Sequence, residues 1–144
     1  MVAVVIERTI AATPYRAFQA LTEADEIVQW WAEEAYVKPE VGCLGEFRFR
    51  PPAGVLRFEV VELDQDKKVR WISRQGPPQW ASTSITWSLA SVQSRTNLVF
   101  THDGFAHTDE AYEQTRRNWY YFLDSLKSYL ETGRGTPGLP LSSK

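Results

Sequence analysis

The side chains of this sequence that invite chemistry are two histidines, His102 and His107, a single cysteine, Cys43, and a set of charged residues within strand-like stretches. Imidazole titrates near neutrality and can act as acid, base or metal ligand. A protein metal site needs three or four ligands in a defined geometry. The two histidines and the distant Cys43 offer no recognised ligand spacing, so no metal and no cofactor are expected. No Ser-His-Asp or Cys-His arrangement can be read from the spacing, and no catalytic residue is assigned. His102 is expected at the turn that ends a strand, bonded to Asp103 or to backbone. Arg48, Arg50, Arg57, Glu59 and Arg70 fall in alternating segments, which puts them on a solvated outer face. An arginine turned inward would instead bind a carboxylate or an enolate-like oxygen.

The aromatic residues are the more unusual feature. Six Trp, six Tyr and seven Phe make up 13% of 144 residues. Trp30 and Trp31 are adjacent, in EIVQWWAEEA. Neighbours on a helix point about 100° apart, so the two rings are not expected to serve the same packing site, and one of them is expected in the core. Rings gathered on one face make either an aromatic core or a pocket, since pockets are mostly apolar with a few placed polar groups.

Placing these rings falls to a short series of elements. Residues 2–10 read as a strand. Thr13-Pro14 opens a helix, with Thr13 as cap and Pro14 at its first position, and Tyr15, Ala17, Phe18 and Leu21 form its apolar stripe. Thr22 is expected to cap a second short helix that carries Ile27, Trp30 and Trp31. From about residue 35 to 102 the period is two, which signals an antiparallel sheet with one covered face. Turns are expected at Pro51-Pro52-Ala53-Gly54, 64–67 and Gly76-Pro77-Pro78, and Asp103-Gly104 is expected to end the sheet. Phe47, Phe49, Phe58, Val60, Trp71, Ile85, Trp87, Leu98 and Phe100 are expected on the covered face. A long helix follows from about Thr108 to Thr132. Its stripe of Tyr112, Thr115, Trp119, Phe122 with Leu123, Leu126, and Tyr129 with Leu130 should face the sheet. Gly133 terminates it. The expected organisation is one domain, 1–133, with a flexible tail, 134–144.

Composition excludes other classes. Net charge is −2, and no basic run exceeds two residues, so nucleic acid is not an expected partner. No apolar run can span a bilayer, so membrane insertion is not expected. MVAVVIERTI reads as a strand rather than a signal peptide. A lone cysteine fits a reducing, cytoplasmic setting.

Several stretches, in order, resemble one family. They are TIAATPYRAFQALTEADEIVQWW, VGCLGEFRF, VVELDQDKKVRWIS, STSITWSLASVQSRTNLVFTHDGF and NWYYFLDSLKSYLE. Together they resemble the START-like, or SRPBCC, superfamily over residues 4 to 132, and within it the branch related to the activator of heat-shock-protein-90 ATPase. Cys43 stands where a second Gly is usual, and Ser94 and Asn118 where Gly is frequent. The resemblance implies an α+β helix-grip fold: a curved antiparallel sheet wrapped around a long C-terminal helix, with two short helices after the first strand and a deep hydrophobic cavity between. Members bind lipids, sterols or hormones, act as polyketide cyclases, or serve as co-chaperones, so the family alone does not give function.

The implied cavity wall is Trp31, Phe47, Phe49, Phe58, Trp71, Ile85, Trp87 and Phe100 from the first part of the chain and the sheet, with Tyr112, Thr115, Trp119, Phe122 and Leu123 from the helix. The first expectation is a non-catalytic binder of a hydrophobic, lipid-like or aromatic small molecule. The alternatives are a polyketide cyclase or hydrolase, which calls for an inward ionisable group with a shifted pKa, and a co-chaperone that stimulates a heat-shock ATPase. Exposed strands and aromatics would support a homodimer.

Overall fold

The computed structural model describes residues 2–51 and 54–138. The chain runs β1 (Val2–Ile10), α1 (Pro14–Thr22), α2 (Ala24–Ile27), β2 (Glu34–Tyr36), β3 (Leu44–Arg48), β4 (Val55–Asp64), β5 (Lys68–Gln75), a 3-10 turn (Pro78–Trp80), β6 (Ser84–Val92), β7 (Arg95–Phe105) and α3 (Glu110–Thr132). The strands form one seven-stranded antiparallel sheet in the order β1-β7-β6-β5-β4-β3-β2. Its covered face and α3 enclose a single aromatic core, the helix-grip arrangement expected from the sequence. No helix among the described residues is long and apolar enough to cross a membrane.

The two-residue period is the physical cause of the layering. Ile85, Trp87 and Leu89 of β6 are buried while Ser84, Thr86 and Ser88 are only partly so. Charges take the outer face. Glu46 accepts from both Arg48 and Arg57, and Glu59 accepts from Arg74. Thr13 caps α1, its hydroxyl accepting from the Arg16 N–H at 3.2 Å, with Pro14 at the first position. Asp109 caps α3 by accepting from the Tyr112 N–H at 3.0 Å, so the helix begins two residues after the expected Thr108. Gly133, with φ 87°, ends α3 in the left-handed conformation that glycine adopts without steric cost.

Several expectations need correction. Thr22 does not cap α2; it closes α1, its hydroxyl donating to the Phe18 carbonyl at 2.8 Å. Tyr15 is exposed rather than part of the apolar stripe, because at the first turn its ring points away from the sheet and meets Gln19. Helix α2 stops at Ile27, and Trp30 and Trp31 lie in the turns beyond it. Asp103-Gly104 does not end the sheet. Val2 pairs with Phe105 and Ala3 with Asp103, so Gly104 is the extra residue of a bulge and β7 continues to Phe105. Gly104, at φ 106°, also lets the chain at Ser82–Thr83 pass close by: a Cβ there would lie 3.1 Å from the Ser82 carbonyl. Of the turn expected at Pro51–Gly54, Pro52 and Ala53 lie outside the described residues.

The stretch expected to be a flexible tail is described to Gly138. Ser125 on α3 ties it down: its hydroxyl donates to the Trp30 carbonyl at 2.7 Å and accepts from the Thr136 N–H at 2.7 Å. The Gly138 N–H donates to the Trp31 carbonyl at 2.8 Å. Residues 134–138 therefore lie over the turn that holds the tryptophan pair.

Candidate functional site

The covered face of the sheet, the turn after α2 and the inner stripe of α3 converge on one block of rings. Trp31 is at its centre. Its ring centroid lies 4.8 Å from Phe47, 5.5 Å from Phe49, 5.8 Å from Trp71 and 5.5 Å from Trp119. Trp119 continues the block to Phe100 at 4.5 Å and Trp87 at 6.0 Å. Aromatic pairs prefer these offset and edge-on separations of about 4.5–7 Å. All thirteen residues expected on the cavity wall are buried, Ile85 and Leu123 at 0% exposure.

The division expected for the tryptophan pair is corrected here. Trp30 and Trp31 are 0% and 1% exposed and stack on each other at 6.0 Å and 21°. Because they sit in a turn rather than a helix, the 100° separation does not apply, and neither ring stands at an opening. Trp30 donates its indole N–H to the Ala20 carbonyl at 2.9 Å and packs edge-on to Trp87. Side chains thus fill the space between α3 and the sheet along this half of the domain.

The other half contains a buried polar circuit. His102 does not end a strand at a turn. It lies inside β7, 0% exposed, with both ring nitrogens engaged. The Trp119 indole N–H donates to His102 Nδ1 at 3.0 Å, so the neutral ring carries its proton on Nε2, which donates to Thr83 Oγ1 at 2.9 Å. Thr83 in turn donates to the Trp80 carbonyl at 2.6 Å. The Trp80 indole N–H then reaches α3, donating to Thr115 Oγ1 at 3.0 Å. Burial pushes the His102 pKa from 6.5 down to about 3, because removing imidazolium from water disfavours its charged form. His102 is therefore neutral at pH 7.

Trp80 is the site residue that sequence reasoning missed. It belongs to no alternating strand, and two prolines just before it, at 77 and 78, mark its segment as a loop. A tryptophan two residues after a Pro-Pro pair was the available signal. Its ring enters the interior from that loop, stacking on Trp119 at 6.1 Å and 18° and standing edge-on to His102 at 4.8 Å. Among the described residues the buried indole N–H of Trp87 has no hydrogen-bond partner, and leaving such a group unpaired costs about 1–3 kcal/mol. His107 is exposed, beside an open depression lined by Val2, Ala106, Thr108 and Asp109.

Comparison with known proteins agrees with this architecture. Residues 11–131 match the family described as Activator of Hsp90 ATPase homolog 1-like protein. The Aha1 dimer from Colwellia psychrerythraea, solved in solution, is 33% identical, with 94% of this chain and all of that chain covered and a TM-score of 0.86. Protein MLL2253 from Mesorhizobium loti is 26% identical over 90% of this chain and 96% of its own, at a TM-score of 0.78. DynU16, from the dynemicin biosynthetic locus, shares the fold at 20% identity, with 92% of this chain and 48% of that chain covered and a TM-score of 0.76. No match is found among curated proteins.

Proposed function

The chain belongs to the Activator of Hsp90 ATPase homolog 1-like family, and on that premise we propose that it is a non-catalytic domain that binds a hydrophobic, ring-bearing small molecule between α3 and the sheet. The observation that carries this reading is the origin of Trp80. Most of the ring block comes from strands, α3 or the turn pinned beneath residues 134–138; Phe49 lies one residue past β3, its N–H bonded to the Gly54 carbonyl, and Trp80 ends the short 3-10 turn between β5 and β6. A ring delivered from a connection can leave without unmaking a strand of the sheet or α3, and Trp80, whose ring stacks on Trp119, is such a removable occupant. The Trp87 N–H, unpartnered and buried, is a spare donor in the same block. The thirteen residues named from the sequence are the proposed wall.

Binding is favoured over catalysis by the state of His102. It meets the literal condition for an enzyme, an inward titratable group with a shifted pKa. A general base, however, works best with a pKa near the operating pH. At about 3, with both nitrogens bonded and no carboxylate among those partners, His102 is a structural hydrogen-bonding group.

Native mass spectrometry of the protein as purified, followed by titration with aromatic and fatty-acyl probes, tests the proposal. One-to-one complexes are the expected result. A clean apo mass with no saturable complex for either probe class would overturn it. A second reading, stimulation of an Hsp90-type ATPase, is favoured by the 33% identity to Aha1 from Colwellia psychrerythraea. It is decided by adding this chain to such an ATPase, where stimulated turnover would displace the binding reading.

A homodimer belongs to the same proposal. Tyr36 on the edge strand β2 pairs across from Glu46, and Leu44 lies two residues from Glu46 on the same face. Tyr36 and Leu44 are therefore diagonal neighbours, both more than half exposed, next to an edge with free backbone groups.

A further inference from the structure

We propose that Trp80 is the protein's own stand-in for its ligand: the indole occupies a slot for a flat aromatic compound bearing one hydrogen-bond donor, such as a phenol or an indole. The proposal rests on the binding reading above and names its ligand class and its gate.

The surroundings of Trp80 have the form of a binding site rather than of plain packing. One face lies against Trp119 at 6.1 Å and 18°, and Phe58 tilts against the ring at 6.0 Å. His102 stands edge-on at 4.8 Å. At the end of the slot Thr115 Oγ1 accepts the indole N–H at 3.0 Å. Aromatic walls with one acceptor at a fixed distance select a planar molecule with one N–H or O–H. A ligand of that shape and donor count exchanges for Trp80 with no change in the number of hydrogen bonds made, so Thr115 is satisfied in both states.

The loop that carries Trp80 is built to release it. Residues 76–83 join β5 to β6, with Pro77 and Pro78 stiffening the entry. Ser82, at the exit, sits at φ 65°, a region non-glycine residues seldom occupy. Such conformations cluster at switch segments. Gly76 runs so close to the ring that a Cβ there would be 3.5 Å from Trp80 Cε3 and 3.3 Å from Leu56. The loop is held by the Trp80 N–H to the Pro77 carbonyl, the Ala81 N–H to the Pro78 carbonyl, the Thr83 N–H and hydroxyl to the Trp80 carbonyl, the Ser73 N–H of β5 to the Thr83 carbonyl, and, from α3, Thr115 accepting the indole N–H. Swinging the indole out breaks the last of these first. Trp80 is 9% exposed, against 0% for Trp87.

The test uses the full chain with 2-naphthol and naphthalene as probes, read by calorimetry and by the indole N–H signals in NMR. Trp80→Phe identifies the Trp80 signal by its loss. Saturating 2-naphthol is expected to bind the wild type one to one and to move that signal to a solvent-exposed position with faster exchange. Trp80→Ala, with its native fold verified by circular dichroism and NMR, is expected to bind about tenfold or more tighter, since no plug has to be displaced. It should prefer 2-naphthol to naphthalene, and Trp80→Ala/Thr115→Val should lose that preference. Where Trp80→Ala does not fold, Trp80→Phe, which lacks the bond to Thr115, is expected to bind tighter than the wild type. Unchanged affinity in a folded Trp80 variant, with the wild type binding normally, overturns the plug and leaves the binding reading standing. Absence of saturable binding by wild type and variants alike overturns both.

Discussion

Protonating His102 inside the folded protein would strip the acceptor from the Trp119 indole and set a charge among rings. The unfolded chain takes up that proton at 6.5 and the folded chain only at about 3. The unfolded state thus binds more protons in between, and stability from this group is complete above pH 6.5 and falls steadily as pH drops to 3. At 1.36 kcal/mol per unit the ceiling is roughly 4–5 kcal/mol. His102→Gln is expected to be less stable than wild type at pH 7 yet to lose less between pH 7 and pH 4, read from urea midpoints; parallel pH profiles would refute this. The two inner indoles give a contrast of the same kind. Trp119→Phe leaves His102 Nδ1 unpaired and should cost about 1–3 kcal/mol beyond the lost ring area, whereas Trp87→Phe removes a donor that has no partner and should cost markedly less. Thermal melts of the pair decide it, and equal losses would contradict the assignment. The inward set of rings was legible at this scale because β-branched and aromatic residues kept the two-residue period. The role of His102 was not legible, because Asp103-Gly104 after it has the composition of a turn and only the pairing partners reveal a bulge.

The segment 134–138 behaves as a clasp across the turn at Trp30 and Trp31. Gly135 is its tightest point: a Cβ there would sit 2.4 Å from the Gln29 carbonyl and 3.0 Å from Ser125 Oγ. Gly135→Ala is expected to lower stability by about 1–3 kcal/mol, the usual cost of forcing an atom into a filled space. Denaturant titration beside Gly133→Ala, where a Cβ meets open space and only the left-handed φ is strained, separates crowding from backbone strain. A Gly135→Ala variant as stable as wild type would mean that the clasp is not held. Elements with long periodic patterns were read correctly from sequence, α3 and β6 among them. Those set by tertiary contact were not. Strand β2 is three residues long and owes its existence to β3, the expected second helix stops at Ile27 short of the tryptophan pair, and the path of residues 134–138 depends on a serine on α3. No local pattern encodes any of these.

At the level of the whole molecule, Tyr36 and Leu44 mark the free β2 side of the sheet. Light scattering is expected to give a dimer at micromolar concentration, and Leu44→Lys to give a monomer with an unchanged melting midpoint; a wild type that stays monomeric would remove the dimer from the proposal. The sheet's other margin has a different bearing. Among the described residues strand β1 pairs only with β7, Val2 meeting Phe105, so the first strand of this sheet is paired with its last. During synthesis the opening strand therefore waits, apolar and unpaired, while the rest of the sheet emerges from the ribosome. Contacts this distant in sequence slow folding and lengthen the time in which an exposed strand can meet the wrong neighbour. The adjacent charges Glu7 and Arg8, set within an otherwise largely apolar nine-residue strand, are what a nascent chain has to guard that interval.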